Sequence, residues 1–413
     1  MLYRNLFLIL CSLCLAPQTK AQNFTADFIK TVSLKTNNSN NLNPIIELGD
    51  SIYISFDDLE ADQKNYYYTI EHCSYNWEIS DIITTEYIEG YASYEIQDFK
   101  NSFNTLQQYT HHYFQLPNEN TRIKISGNYL LSILNEEDEI CIQRKFVVYE
   151  PLVIINAKTI RDRTIKNVDK KQVVQFSVFH PEFKIDKPSE DLKIKILQNN
   201  DWNFSLQDIQ PKFYKKNEII YKHHQKTSFF GGNEFLNFDS KDLTSANIYI
   251  ARTTLKEKLY HTYLYTTNPR VSYPYTFYPD INGGFHIRTL NGFDQSIESD
   301  YSWVHFSLET NSAAPTKENV FVYGAFNNYA ANKENQLIFN ERTQLLEATL
   351  LLKQGFYNYT YVTKNENNQL EKRQINGSFY ETENSYILLA YYKSFGHRTD
   401  RIIGMTTIHS NSL

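Results

Sequence analysis

Leu192-Lys193-Ile194-Lys195-Ile196 alternates strictly, with three aliphatic side chains on one face and two lysines on the other. A period of two marks an extended strand with one face toward a core, because successive side chains point to opposite sides of the pleat. The same period continues in both directions along the chain. Toward the N-terminus it recurs at Ile52-Tyr53-Ile54-Ser55-Phe56, Tyr66-Tyr67-Tyr68-Thr69-Ile70, Gly127 to Leu134, Lys145-Phe146-Val147-Val148-Tyr149 and Gln172 to Phe179. Toward the C-terminus it recurs at Glu218-Ile219-Ile220-Tyr221, Tyr301 to Leu308, Val320-Phe321-Val322-Tyr323, Thr343 to Leu352 and Gly355 to Val362. Short strands at regular spacing, separated by turn residues such as Pro181, Pro188 and Asn199-Asn200-Asp201, predict an all-β chain of tandem immunoglobulin-like or fibronectin-III-like β-sandwiches. An amphipathic helix of a dozen residues is nowhere written, and the best candidate for a helical turn lies within Glu95 to Leu106. No 20- to 50-residue signature recurs, which argues against a solenoid.

Composition agrees with strands. The 413 residues include 32 Tyr and 27 Phe against 13 Gly and 11 Pro, and aromatic rings suit a half-buried pleated surface. The formal net charge is −6, and no basic stripe is visible, so a nucleic-acid partner is not expected. At roughly 150 residues per domain, the length allows two or three domains.

Residues 1–21 read as a signal peptide: Arg4 supplies the positive region, Leu6 to Leu15 the apolar run, and Thr19-Lys20-Ala21 a cleavage site before Gln22. The run falls short of the about 20 apolar residues needed to span a bilayer. The expectation is therefore an exported protein. Cys11 and Cys14 fall inside that segment, and Leu10 and Leu13 before them disfavour lipidation. Cys73 and Cys141 remain; export permits a disulfide between them, while their place in core strands suits buried thiols. Pro151 cannot donate to a central ladder and marks a boundary near Glu150. The expected division is an N-terminal sandwich at 22–150, a middle sandwich at 151–267, an extended Pro- and Gly-bearing connector at 268–300 and a C-terminal sandwich at 301–413.

Residues that could carry chemistry are present without a pattern that joins them. There is no G-x-S-x-G elbow, and Cys73 follows His72 on a strand, where neighbours diverge. The doublets His111-His112 and His223-His224 diverge for the same reason, with one imidazole packed and the other solvated. Neither H-E-x-x-H nor an EF-hand loop occurs. Gly231-Gly232 and Gly283-Gly284 sit among strands and read as turns or bulges, not phosphate cradles. No acidic pair stands out for glycoside hydrolysis. The expectation is no catalytic residue, no metal ligand and no cofactor.

Val320-Phe321-Val322-Tyr323-Gly324-Ala325-Phe326-Asn327-Asn328-Tyr329, followed by Leu345 to Leu350 and Gly355-Phe356-Tyr357-Asn358-Tyr359, resembles the starch-binding modules of the glycogen-branching type, an early-set sandwich. That resemblance implies a sugar-stacking ring at Tyr329, where such modules typically carry Trp. An envelope glycan-binding protein is accordingly the alternative reading.

A longer ordered set of segments carries a second resemblance. It comprises Tyr68-Thr69-Ile70-Glu71-His72-Cys73 with Asn76-Trp77, Glu86-Tyr87-Ile88-Glu89-Gly90, Phe103 to His111, Leu116-Pro117-Asn118-Glu119 and Ser126-Gly127-Asn128-Tyr129-Leu130. Phe230-Gly231-Gly232-Asn233-Glu234-Phe235, Asp280-Ile281-Asn282-Gly283, Tyr301-Ser302-Trp303-Val304-His305-Phe306 and the Val320 segment follow. In that order, over nearly the whole mature chain, they resemble the plug family of the type IX secretion system of Bacteroidetes; Cys141 and Tyr329 depart from its usual pattern. The resemblance implies a non-catalytic periplasmic protein, docked at the outer membrane, that occludes the periplasmic mouth of a very large translocon barrel and so prevents leakage. The barrel would be its partner, through an interface of unknown position.

Overall fold

The computed structural model describes residues 23–36, 44–245, 247, 249–309 and 319–410. The expected signal peptide lies outside them. The fold is all-β, with 50% of residues in strands and 7% in helix, arranged as tandem β-sandwiches.

In the first sandwich, one sheet runs Phe24–Thr25, Ile140–Tyr149, Gly127–Leu134, Tyr66–Cys73, Ser93–Ile96, with Ile45–Glu47 added in parallel to Ile140–Tyr149. The facing sheet runs Ile29–Thr36, Ile52–Asp58, Thr110–Leu116, Phe99–Asn101. Alternation puts Ile52, Ile54 and Phe56 from one sheet against Tyr66, Tyr68 and Ile70 from the other, all buried. The segment expected to turn helically is instead extended. Tyr94 and Ile96 alternate inward, and both Ser93–Ile96 and Phe99–Asn101 find ladder partners. The described α-helices are four single turns: Thr84–Tyr87, Pro188–Asp191, Gln295–Glu298 and Arg373–Asn376.

The second core departs from the expected linear division. Its first sheet is Ile154–Arg161, Lys171–Phe179, Glu218–Tyr221, Phe213–Lys215, with Ser228–Phe230 also on Lys171–Phe179. Its second sheet is Asp201–Leu206, Leu192–Gln198, Ser385–Tyr392, Arg401–His409. Leu192–Gln198 pairs antiparallel with Ser385–Tyr392, so Ile194 and Ile196 pack with Tyr386, Leu388 and Ile403. The chain therefore leaves the middle sandwich, builds the third, and returns to complete the second.

The third sandwich gathers its core from Phe238 to Ile375. Gly355–Lys364 is central to one sheet, flanked by Leu236–Asp239, Phe285–Ile287, Val320–Tyr323 and Leu370–Glu371. The other sheet runs Ile250–Lys256, Leu259–Leu264, Tyr301–Glu309, Leu345–Lys353, Ile338–Asn340. The stretch expected to be a connector thus contributes a strand, Phe285–Ile287, with Phe285 buried in this core.

Candidate functional site: buried charges that join the sandwiches

Each sandwich turns a sheet face toward another sandwich, and the polar residues on those faces are buried by the neighbour instead of meeting water. Asp57 illustrates the logic. It follows Phe56, so its side chain leaves the first core, yet it is fully buried because the third sandwich covers it. Its carboxylate accepts hydrogen bonds from Lys353 Nζ at 2.7 Å and from the Tyr301 hydroxyl at 2.6 Å, and pairs with His111 Nδ1 at 2.6 Å. Lys353 also donates to the Ser296 carbonyl at 2.6 Å and lies 4.0 Å from the centre of the Tyr109 ring. Burial alone would raise the Asp57 pKa. The Lys353 charge and the His111 hydrogen bond outweigh it and hold the carboxyl below its ordinary value. A few residues away, Asp300 accepts from the backbone N–H groups of Leu106 and Gln107, tying a loop of the first sandwich to the third.

Between the first and second sandwiches the central charge is Lys195. Ile194 and Ile196 enter the second core, which sends Lys195 to the opposite face, where it is only 4% exposed. Its ammonium donates to the Tyr75 carbonyl at 3.2 Å and lies 4.3 Å from the Tyr75 ring centre, 5.5 Å from Trp202 and 5.7 Å from Tyr391. Such a cage of ring faces stabilises a desolvated cation. Burial first, then the Lys145 charge, pulls the Lys195 pKa down to about 8. Around it, Tyr75, Trp77, Leu130 and Val147 pack with Leu197, Leu389, Tyr391 and Ile402 in one apolar cluster. The Tyr391 hydroxyl donates to Asn128 Oδ1, and Asp400 accepts from the Tyr75 N–H.

The seam between the second and third sandwiches repeats the pattern. Asp201 is fully buried and accepts from the Tyr323 hydroxyl at 2.8 Å and from Lys372 Nζ at 3.1 Å. Lys372 lies 4.0 Å from the Phe204 ring centre. Tyr329, the residue expected to stack on sugar, sits at this seam. Its hydroxyl donates to the carbonyls of Asn199 at 3.2 Å and Asn282 at 3.4 Å, and its ring tilts against Tyr323 at 5.4 Å. It therefore acts as a strut between two sandwiches.

The remaining candidates distribute as follows. His112 is buried and stacks on Phe56, while His111, on the opposite face, joins the Asp57 cluster, so neither imidazole of this doublet is the solvated one that was expected. His223 and His224 lie beyond the Glu218–Tyr221 strand, in a turn. Cys73 and Cys141 are free and buried. Gly283 has φ +84°, as a turn requires, and a Cβ there would sit 2.8 Å from the Phe235 ring. Among the described residues, Asp58, Glu60 and Asp62 converge as a possible metal-holding set, but Lys64 already pairs with all three carboxylates. The charged residues at the seams were not singled out from the sequence. A lysine alternating with isoleucines reads as a solvated face unless a second layer is known to cover it.

Where the three sandwiches meet, a cleft of about 410 Å³ opens. Val32, Ser33 and Leu34 line one side, Phe285 and His286 another, and Trp202 and Tyr329 contribute rings.

The family model described as type 9 secretion system plug protein 1st domain matches residues 29–150. A crystal structure of a hypothetical protein from Parabacteroides merdae superposes with TM-score 0.91 at 31% identity, covering 95% of this chain and all of that one. A biofilm-associated protein BSP domain aligns with TM-score 0.17 at 8% identity. No curated protein matches.

Proposed function

We propose that this chain, which belongs to the type IX secretion system plug protein family, closes the periplasmic opening of the outer-membrane translocon barrel when no substrate is engaged. Family membership gives it a role related to type IX secretion. The occlusion itself is our reading, and the observation that best supports it is the way the sandwiches are joined. A wide barrel encloses an open channel, so a stopper must keep its shape under load. Buried charges that are satisfied only across separate cores suit that demand: sliding one sandwich past another would strand Asp57 or Asp201 without its lysine, or Lys195 without its carbonyl and ring partners, in a dry interface. The work requires shape and reversible binding, and no reactive group.

In this reading the chain is exported, resides in the periplasm and docks on the barrel through a specific interface, typically about 1,200–2,000 Å² in total. The test is a deletion strain combined with a pull-down. Loss of the gene should raise outer-membrane permeability to a large antibiotic or dye, and tagged protein should co-purify with the translocon from solubilised outer membrane. An intact barrier in the deletion strain would sink the occlusion reading.

A further inference from the structure

The cleft at the triple junction has walls that a closed scaffold does not need. Ile29–Thr36 is the terminal strand of its sheet, and Phe285–Ile287 is the terminal strand of another; neither has a second ladder on its outer side among the described residues. Both line the cleft, through Val32, Ser33 and Leu34 and through Phe285 and His286. An open strand edge presents a row of N–H and C=O groups that another extended chain can pair with. The ladder between Ile29–Thr36 and Ile52–Asp58 is interrupted between Lys30 and Ser33, which bends the outer strand beside the cleft. The rest of the wall is held by residues fixed in left-handed turns, Asn200, Asn282, Asn328 and Tyr329, with φ between 53° and 58°. Such turns keep the cleft preformed.

Cationic side chains outnumber carboxylates in the lining of this cleft. Arg144 lines it, is 9% exposed, and its guanidinium donates to the carbonyls of Phe24 and Gln143 and to Thr25 Oγ1, with no carboxylate partner among the described residues. Lys145 and His286 line it as well, and Lys35 shares the strand face of Ser33. Burial first, then Lys35 and Arg288, lowers the proton affinity of His286, and Arg288 is itself paired with Asp239. Asp201 is the sole carboxylate in the described lining, and Lys372 already neutralises it.

We propose that this cleft binds an extended acidic segment of a partner protein, which adds to the edge of Ile29–Thr36 and sets its carboxylates against Lys35 and Arg144. Main-chain pairing supplies affinity, and charge supplies selection. A glycan would find no use for two open strand edges. The inference does not depend on occlusion of the barrel: a plug without this site, or this site on a protein that plugs nothing, are both separable outcomes.

The test is fluorescence anisotropy with a fluorescein-labelled hexapeptide of alternating glutamate and valine, titrated with the chain from Gln22 onward at low ionic strength. Saturable binding is expected, with the lysine-for-glutamate peptide weaker by at least about tenfold. The same acidic peptide carrying N-methyl groups along one edge should also bind at least about tenfold more weakly, since it cannot complete a ladder. Lys35→Glu should weaken the acidic peptide by a similar factor at an unchanged melting temperature. If that variant fails to fold, the N-methyl comparison on the wild type still decides. Equal affinity for acidic and basic peptides, or for methylated and unmethylated ones, overturns the proposal. Displacement of the peptide by an oligogalacturonate of equal charge and equal affinity overturns it too, and would assign the cleft to an anionic glycan.

Discussion

Lys353 Nζ lies 2.7 Å from Asp57 Oδ2, although 296 residues of chain separate the two, and neither is measurably open to solvent. A contact of that sequence separation, dry and charge-assisted, ties the first sandwich to the third. Taking two charges out of water is costly, so the pair need not stabilise the fold more than two apolar residues would. Its effect is on register: the sheets can meet in the one arrangement that keeps both charges paired.

Removing one partner should therefore cost more than removing both. Lys353→Met is expected to destabilise by about 3–5 kcal/mol, as for other buried pairs broken on one side. Lys353→Met combined with Asp57→Leu should recover part of that loss. Urea denaturation of the two single variants and the double variant gives the coupling, and strict additivity would show that the pair does not act as a unit.

Acid should loosen this seam. The folded-state pKa of Asp57 is depressed below the ordinary 3.8, so its contribution is present above that value and is lost as pH falls through the folded pKa. Melting temperature should drop more steeply below about pH 4 in the wild type than in Asp57→Asn. Parallel curves would mean that the Asp57 proton is not linked to folding.

Lys195 should show a dependence of the same sign in a higher pH window. Its folded pKa is near 8 against an ordinary 10.5, so the charged form is the disfavoured one in the fold, and stability rises as pH climbs through that window. Lys195→Met should lack this rise. The comparison is the difference between wild-type and variant melting temperatures at pH 7 and pH 10, which cancels the shared titration of tyrosines; a constant difference would contradict the assignment.

Tyr329 should behave as a strut. Tyr329→Phe removes the hydroxyl bonded to the Asn199 and Asn282 carbonyls and should cost about 1 kcal/mol. Tyr329→Ala also removes the ring beside Tyr323 and should cost about 3–5 kcal/mol. Retardation of the wild type in a glucan affinity gel, abolished by Tyr329→Phe, would instead favour sugar recognition.

Both cysteines should be silent. Burial pushes the Cys73 thiol up to about 12, and Cys141 is buried as well. A thiol reagent added to the chain from Gln22 onward should find no reactive sulfur in the native state and two after denaturation. Native labelling would mean that the first core opens readily.

Much of the local structure was legible because it depends on neighbours in sequence. The alternation of Leu192 to Ile196, and of Ile52 to Phe56, sorts side chains to two faces whatever lies beyond them. The pattern cannot tell what covers the second face. Lys195 and Asp57 sit where a solvated residue would, and only the neighbouring sandwich turns them into buried charges. The expected helical turn within Glu95 to Leu106 failed for a related reason: short strands at a sheet edge gain their hydrogen bonds from distant partners, which local propensity does not register.

The sequence alone determined that this protein is built from strands, with rings and aliphatic residues at a period of two, and its ordered segments pointed to the family. Tertiary structure decided which strands share a sheet. Ser385–Tyr392 pairs with Leu192–Gln198 across the whole third sandwich, a choice set by complementary faces and backbone hydrogen bonds that no local pattern encodes. It also decided the fate of the polar faces. A residue's alternation is fixed by the chain, whereas its burial, partner and proton affinity are fixed by whatever surface the fold brings against it.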